Sequence, residues 1–179
     1  MNPKLPWTQR RFTFDFPVEI YPDVIERLRG VPARIEVKIR GLSRDALTRR
    51  EKEGTWSIQE NIGHLSDLEP LGFKRLDEFL SGAQSLSAAD MTNKQTNEAR
   101  HNDRMIQEVF DEFRRERARF IARLDTLADT DFARTAMHPR LKQSMRMVDW
   151  LAFVAAHDDY HLTRMTELLK VFGASASPA

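Results

Sequence analysis

The sequence Phe153-Val-Ala-Ala-His157-Asp-Asp-Tyr-His161-Leu-Thr-Arg-Met165, near the C-terminus, combines the apolar spacing of a helix with two histidines. Because His157 and His161 are four residues apart, an α-helix places both imidazoles on one face, within reach of a single ion. At about 100° per residue, the same side carries these apolar residues: Trp150, Val154, Met165, Leu168 and Phe172. The two histidines therefore point into the core.

A pair of inward-facing histidines has two interpretations. Each imidazole can be satisfied by an ordinary hydrogen bond inside the core, as buried polar groups usually are. Alternatively, the pair can belong to a metal site, because this spacing is one that helical metal ligands use. A third ligand from elsewhere in the chain would decide between the two interpretations.

A third inward-facing histidine lies on an earlier helix. Ser57 and Glu60 have the spacing of a capping box, which predicts a helix from Ser57 to about Leu80 with a bend at Pro70. His64 shares the apolar side of this helix with Leu68, Leu71 and Phe79. Three neutral nitrogen ligands on a rigid scaffold leave one coordination position for water or substrate, which is typical of catalytic rather than structural metal sites.

The rest of the chain predicts an all-α protein. Apolar periodicity gives four long helices, at about residues 22–41, 57–80, 96–127 and 145–172. The first helix is predicted to be kinked or broken near residues 30–32, where Gly30 and Pro32 interrupt its pattern. Connections at 81–95 and 128–143 are long, and neither shows a convincing strand pattern. We therefore expect a four-helix bundle.

We divide the chain into three parts. Residues 1–21 alternate aromatic and charged side chains and include three prolines, so we expect an ordered, mostly non-helical strap that wraps over the bundle. Residues 22–173 form the bundle itself. Residues 174–179 are small and are expected to be a disordered tail.

Composition excludes several classes of function. The 28 basic side chains nearly cancel the 27 acidic ones, so nothing favours binding to nucleic acid or to a membrane surface. The chain contains 0 cysteines, which excludes disulfides, thiolate metal sites and cysteine nucleophiles. We see neither an apolar run that could cross a bilayer nor a signal-peptide region, and we expect a cytoplasmic protein.

Three segments resemble the DinB-like (DinB/YfiT-like) superfamily. They are Trp56-Ser-Ile-Gln-Glu60-Asn-Ile-Gly-His64-Leu, Thr96-x-x-Ala99-x-x-Asn102 and His157-Asp-Asp-Tyr-His161-Leu. The resemblance implies a bundle with up-down-down-up topology and one divalent metal ion, bound here by His64, His157 and His161. Zinc, nickel and iron all suit three imidazoles. Relatives include S-transferases that use bacillithiol, mycothiol or glutathione, so a low-molecular-weight thiol is an expected co-substrate.

Three further residues are candidates for the site. Glu60 lies one turn before His64 and is either a ligand, a base or simply the capping-box carboxylate. Asp158 falls on the apolar side of its helix, where it could orient a ligand, with His64 or Arg75 as its expected partner. Arg75 could bind an anionic group of the substrate, or extend from the edge of the core to solvent.

The two remaining histidines fall outside this pattern. We expect His101 on a helix surface and His138 in a loop, both without a chemical role.

Our leading hypothesis is a metal-dependent enzyme, a thiol S-transferase or a hydrolase, that acts on a small electrophilic molecule. The alternative is a non-catalytic, stress-related protein in which the ion only stabilises the bundle. An open coordination position beside a pocket would favour catalysis, whereas a fourth protein ligand would favour the structural role. The sequence leaves open whether the protein is a homodimer.

Overall fold

A computed structural model describes residues 5–173 as seven helices and one small β-hairpin. The helices are α1 (Tyr21–Arg29), α2 (Val31–Ile39), α3 (Arg44–Thr48), α4 (Ile58–Leu80), α5 (Lys94–Glu98), α6 (Ile106–Leu124) and α7 (Met147–Val171). Turns of 3-10 helix span Trp7–Gln9, Val18–Ile20, His101–Asp103 and Asp129–Ala133. The strands are β1 (Thr135–His138) and β2 (Gln143–Arg146). The predicted tail, 174–179, lies outside the described residues, as does the start of the strap, 1–4.

The long helices form a four-helix bundle in which α1 and α2 together take the place of the first helix. Helix α4 packs against α6 and α7, while α1 and α2 each pack against α6 and α7. The predicted bundle is therefore confirmed, and its up-down-down-up order stays a prediction. In the described part of the chain, every helix is too short or too polar to cross a membrane.

The first helix is divided at Gly30, within the interval that the sequence indicates. Pro32 lies four residues after Leu28 and has no N–H, so it cannot donate to the Leu28 carbonyl as a helical residue would. Instead, Arg117 donates Nη1–H to that carbonyl over 3.4 Å. At the break between α1 and α2, a side chain of α6 thus replaces the missing backbone donor.

The third helix begins later than the sequence predicts, at Ile106 instead of about residue 96. Asn93 and Arg100 adopt left-handed backbone conformations, with φ of 53° and 51°. Because α-helical propagation requires negative φ, Arg100 separates the short helix α5 from the start of α6. Residues 94–103 therefore form a folded connection across the end of α4 and carry Thr96 into the interior.

The expectation of an all-α chain is wrong in one place, the hairpin that precedes α7. Strands β1 and β2 pair antiparallel, and Met137 also pairs with Ser85 from the connection after α4. The inward positions of β1 are Ala136 and His138, one small and one polar. Strand alternation is visible in sequence only when the inward residues are large and apolar, so this pattern was hidden.

Aromatic side chains of the N-terminal strap pack against the bundle. They are Trp7, Phe12, Phe14 and Phe16, all partly buried on the same apolar cluster. Trp7 and Phe12 each place their ring centroid 5.0 Å from that of Phe153. Arg146 donates Nη2–H to the carbonyl oxygens of Phe14 and Phe16, over 3.3 and 2.9 Å. These contacts attach the strap, whose regular structure is two short 3-10 turns, to β2 and α7.

Two apolar clusters fill the bundle, and each long helix contributes to both. One cluster contains Leu76, Phe79, Phe120 and Trp150, and the other contains Ile62, Phe113 and Met165. Between them lies a layer of buried polar side chains. Glu69 of α4, Arg117 of α6 and Asp158 of α7 have exposed fractions of 5%, 3% and 1%. The two core clusters are thus separated by charged groups rather than joined.

Arg117 binds both carboxylates of this layer. Its Nε–H and Nη2–H reach Glu69 Oε1 over 2.8 and 2.7 Å, and its Nη1–H reaches Asp158 Oδ2 over 2.6 Å. Burial alone would favour the neutral guanidine, but the carboxylates of Asp158 and Glu69 outweigh it and raise the pKa of Arg117. One cation thus connects α4, α6 and α7, and through Leu28 it also connects α1.

We expect the substitution Arg117→Met to lower the free energy of unfolding by about 3–5 kcal/mol, because it leaves two buried carboxylates without a cation. Urea denaturation of the metal-free protein, followed by circular dichroism, measures the change. Arg119→Met is the matched control, since Arg119 lies two residues away and is exposed, and it should change stability by less than about 0.5 kcal/mol. Equal stability of the two variants would contradict a stabilising role for the buried cation.

Candidate metal centre

Three histidines converge at the middle of the bundle. His64 comes from α4, and His157 and His161 come from successive turns of α7. One ring nitrogen from each lies within 4.8 Å of those of the other two. The Nε2 atoms of His157 and His161 are 3.2 Å apart. The structure therefore brings together the three residues that the sequence indicates, and in residues 5–173 this group contains no fourth His, Asp or Glu.

A chain of hydrogen bonds orients His64. Thr96 Oγ1 lies 2.7 Å from Asp67 Oδ2 and 3.0 Å from His64 Nδ1. A hydroxyl has one proton, and the ionised carboxylate of Asp67 can only accept it. The threonine oxygen therefore accepts from His64 Nδ1–H. This tautomer leaves the lone pair of His64 Nε2 available to an ion.

His161 is oriented in the same way by a neighbour on α4. Asn61 donates its amide Nδ2–H to the Ser57 carbonyl over 2.7 Å, so its Oδ1 is an acceptor. Oδ1 lies 2.8 Å from His161 Nδ1, which must carry the proton. The Nε2 lone pair of His161 then faces His157. Both second-nitrogen contacts are of the kind that fixes the orientation of metal-binding histidines.

The donor set fits a divalent ion. Two nitrogens bound at about 2.0–2.1 Å in a tetrahedral site lie roughly 3.3 Å apart, close to the observed His157–His161 separation. Metal binding also requires neutral imidazoles. Burial, with repulsion from His157 when that ring is protonated, lowers the pKa of His64 to about 3, and burial lowers the pKa of His157 to about 3 as well. Burial moves the pKa of His161 in the same direction. All three rings are neutral at pH 7.

His101 is not the surface residue that the sequence predicts. It is 3% exposed, and its Nε2 lies 2.9 Å from the carboxylate of Asp67, the same group that binds Thr96. Burial opposes ionisation of Asp67, but the hydrogen bonds from His101 and Thr96 prevail and lower its pKa. A Cβ on Gly63 would lie 2.3 Å from the His101 ring, so only glycine permits this close packing. His101 therefore supports the chain of contacts that ends at His64.

The structure gives Glu60 and Asp158 partners other than the histidines. Glu60 accepts from the Ser57 backbone N–H over 2.9 Å and pairs with Arg50, so the capping box is present and occupies this carboxylate. Asp158 pairs with Arg117, which corrects the expectation that its partner is His64 or Arg75. Asp158 thus connects the helix that carries two of the histidines to the buried cation.

A cavity of about 340 Å³ lies beside the histidines. His64 and His157 both line it, whereas His161 lies behind them. Its apolar lining includes Leu65, Leu68, Leu71, Phe120, Phe153 and Val154. Trp7 of the strap also lines the cavity, with its ring centroid 4.9 Å from that of His157. A small molecule in this cavity would contact the ligand-bearing edge of the site.

Arg75 lines the same cavity, as the sequence interpretation of a substrate-binding residue requires. It is 6% exposed, and it donates Nε–H and Nη2–H to the Ser87 carbonyl over 3.0 and 2.8 Å. The alternative, a side chain that extends to solvent, is therefore wrong. His138, expected in a loop, lies in strand β1 instead, is 2% exposed and lines this cavity too.

Sequence reasoning missed the residues that orient the histidines. Asn61 lies one turn before His64 and Asp67 one turn after it, so helical spacing could have flagged both. Thr96 opens one of the segments that carry the family resemblance, but its contact with His64 could not be predicted, because the left-handed residues that turn its segment inward are not recognisable from composition. Arg117 was hidden in an exposed-looking charge run, Asp111-Glu-Phe-Arg-Arg-Glu-Arg117.

These features place the protein in the class of helical bundles with a histidine metal site. The three rings are neutral, and residues outside the cluster orient two of them. The comparison with protein families makes this specific. The profile of the DinB superfamily matches residues 27–165, which include all three histidines, and the chain belongs to that superfamily.

Relatives from bacilli match most of this chain in sequence. YfiT of Bacillus subtilis is 23% identical over 158 residues, which are 84% of this chain and 85% of YfiT. Its solved structure, described as a probable metal-dependent hydrolase with an unusual four-helix bundle topology, matches with a TM-score of 0.78 at 21% identity and covers 93% of this chain and 95% of that one. The uncharacterized protein YuaE of Bacillus subtilis is 26% identical over 76% of this chain and 92% of its own length.

A second solved structure, of a DinB-like protein from Bacillus cereus, matches with a TM-score of 0.58 at 16% identity. The match covers 90% of this chain and 96% of that one. At such identities the two structures support the fold.

We expect Thr96→Val to weaken binding of Zn²⁺ by roughly 10- to 100-fold, because valine keeps the shape of threonine but cannot accept from His64 Nδ1–H. Competition with a chromophoric chelator measures the affinity. Thr92→Val is the matched control, since Thr92 lies four residues before Thr96 and its hydroxyl binds Asp90 instead. Wild-type affinity in Thr96→Val would show that this contact does not orient the ligand.

Proposed function

We propose that this protein is a metal-dependent hydrolase of small molecules, with one divalent ion held by His64, His157 and His161. The observation that carries the proposal is the position of the cavity. Two of the three histidines form part of its wall, and the lone pair of His64 Nε2 is left free by the contact with Thr96. The description of the relative YfiT as a probable metal-dependent hydrolase supports the same conclusion.

The residues of this chain have separable tasks in that activity. The histidines hold the ion, and Asn61 and Thr96 keep two of the rings in the tautomer that binds it. When bound, a divalent ion supplies Lewis acidity, which polarises a carbonyl group and activates water. The apolar wall of the cavity limits access of bulk water and strengthens electrostatic interactions inside it. Three imidazoles suit zinc, nickel and iron, and we keep all three as candidate ions.

A catalytic role is favoured over a purely structural one. A structural site of this type is usually closed by a fourth protein ligand. The ligand group of residues 5–173 holds three histidines, and it adjoins a cavity large enough for a small molecule. The bundle also has two apolar clusters and a buried ion-pair network that do not involve the histidine rings. The ion is therefore not needed to complete the core.

We expect wild-type protein to bind one equivalent of Zn²⁺ or Ni²⁺, and His64→Ala, His157→Ala and His161→Ala each to lose most of this metal, because each removes a ligand. Elemental analysis after gel filtration measures the content. His138→Ala is the control: it removes a buried histidine from the same cavity but outside the ligand group, and it should keep the metal. Full metal content in all three ligand variants would contradict the assignment.

The metal-loaded protein is expected to hydrolyse members of a panel of small esters and amides, and chelation is expected to abolish this activity while leaving the helical content unchanged. Recovery on return of the ion is the control. Unfolding on chelation would favour the structural role instead. If turnover requires an added thiol such as bacillithiol or glutathione, the reaction is thiol transfer rather than hydrolysis.

A further inference from the structure

The cavity beside the histidines contains a second group of polar residues that the proposed hydrolysis does not use. Arg75 comes from α4, His138 and Arg140 from the β-hairpin, and Trp150 from α7. Arg75 is eleven residues after His64, so their Cα atoms are roughly 16 Å apart along the helix on the same face. His138 and Arg140 lie against Phe153, one helical turn before His157. Arg75 is therefore displaced along α4 from His64, whereas His138 and Arg140 lie about one helical turn from His157 on the wall of the same cavity.

His138 presents a buried donor that has no partner. Its Nδ1 accepts the backbone N–H of Leu141 over 3.2 Å, which places the ring proton on Nε2. Burial, with repulsion from Arg75 and Arg140, lowers the pKa of His138 to about 4, so the ring is neutral at pH 7. Nε2 is buried and, within the described residues, has nothing to donate to. A buried N–H without an acceptor is costly, so an acceptor from outside the chain would be favourable.

Two further buried N–H donors also lack an acceptor within the described residues. Trp150 is fully buried, and its indole Nε1–H lacks an acceptor among residues 5–173. Arg140 donates Nη1–H to the Thr8 carbonyl over 3.5 Å, whereas its buried Nη2 has no partner there. These atoms are three of the five unpartnered buried side-chain atoms in the described chain, and all three belong to residues that line the cavity. Each of them is a donor.

The two arginines also lack a compensating carboxylate. Burial lowers the pKa of Arg75 to about 10 even though Glu78 is close enough to oppose the shift, and burial lowers the pKa of Arg140. Within residues 5–173, neither guanidinium forms an ion pair. This distinguishes them from Arg117, which also lines the cavity but binds two carboxylates. Arg75 is buried and Arg140 is half-buried, and charges removed from water are normally paired, so the cavity has an excess of positive charge.

The acidic residues around the cavity are already engaged. Glu69 and Asp158 bind Arg117, and Asp90 accepts from Thr92 and from the backbone N–H of Lys94. None of these carboxylates is therefore available to the unpartnered donors without breaking other bonds. An anion that enters the cavity would pair with the two arginines, and the unpartnered donors belong to residues of the same wall.

We propose that Arg75, His138, Arg140 and Trp150 bind a carboxylate group of the substrate, with the apolar body of the molecule extending along the cavity to the histidines. Three unpartnered donors match the lone pairs of two carboxylate oxygens. A cavity of about 340 Å³ admits a small acid of this kind, with an aliphatic or aromatic body. The inference rests on the proposed function for the reaction itself. It adds the class of substrate, a small carboxylic acid.

Isothermal titration calorimetry with 4-phenylbutyrate tests the subsite. Its uncharged analogue, 4-phenylbutan-1-ol, and the cation 4-phenylbutylamine are the comparisons, because all three share the apolar body. Metal-free protein is used first, so that the ion cannot bind the carboxylate. We expect the acid to bind about tenfold or more tightly than the alcohol, the amine not to bind, and Arg140→Met and Arg75→Met each to remove the advantage of the acid.

The controls are neighbouring exposed lysines. Lys142→Met and Lys74→Met remove the same charge from the hairpin and from α4 but not from the cavity, so both should keep the preference for the acid. Arg75→Lys retains the positive charge at the buried position. Thermal unfolding of each variant shows whether its fold is intact. Equal affinity for the acid and the alcohol in the metal-free wild type would overturn the subsite. Tighter binding of 4-phenylbutylphosphonate than of the acid would overturn its assignment to a carboxylate.

The same titrations in zinc-loaded protein separate this inference from the proposed function. If the acid binds only when zinc is present, and Arg140→Met leaves that binding unchanged, the carboxylate binds the ion and the subsite is wrong while the metal site stands. If the acid binds the metal-free protein through Arg75 and Arg140 but the histidine variants keep their metal, the subsite stands and the proposed function fails.

Discussion

The structure depends on one buried cation, Arg117, which holds Glu69 and Asp158 at the level where the long helices pass from one apolar cluster to the other. Charged groups at this depth are tolerated only when they are paired and hydrogen-bonded, so the positions of α4, α6 and α7 are restricted to those that allow both ion pairs. The same guanidinium donates a hydrogen bond to the Leu28 carbonyl, to which Pro32 cannot donate because it has no N–H. Arg117 therefore also contacts α1. The break in the first helix and the polar layer therefore both depend on the guanidinium of Arg117.

The candidate metal centre follows from this layer. Asp158 is next to His157 in sequence, and Glu69 lies five residues after His64, so fixing the two carboxylates also limits where the histidines can lie. Hydrogen bonds from outside the polar layer then set the tautomers: Asn61 for His161, and Thr96 for His64. Because the rings are buried and neutral, the site presents lone pairs rather than charge. Elsewhere on its wall the cavity has the opposite character: among residues 5–173, two guanidiniums form no ion pair and three buried donors have no acceptor.

The sequence could predict those features of the fold and site whose pattern lies within a few helical turns. Apolar periodicity and helix caps act within a few turns, and they predicted the long helices, the capping box at Ser57 and the inward side of His64, His157 and His161. The contacts of His101 and Arg117 could not be predicted, because both depend on residues far away in sequence: Asp67 with His101, and Glu69 and Asp158 with Arg117. Strand β1 was missed because its inward residues are alanine and histidine.

The central claim is that His64, His157 and His161 together bind one divalent ion and leave a coordination position open to the cavity. A crystal structure of protein loaded with one equivalent of Zn²⁺, with anomalous data collected on both sides of the zinc edge, tests it most directly. We expect one strong anomalous peak at about 2.0–2.1 Å from a ring nitrogen of each of the three histidines, with a non-protein ligand on the side of the cavity. A peak elsewhere, or a fourth protein ligand that closes the site, would contradict it.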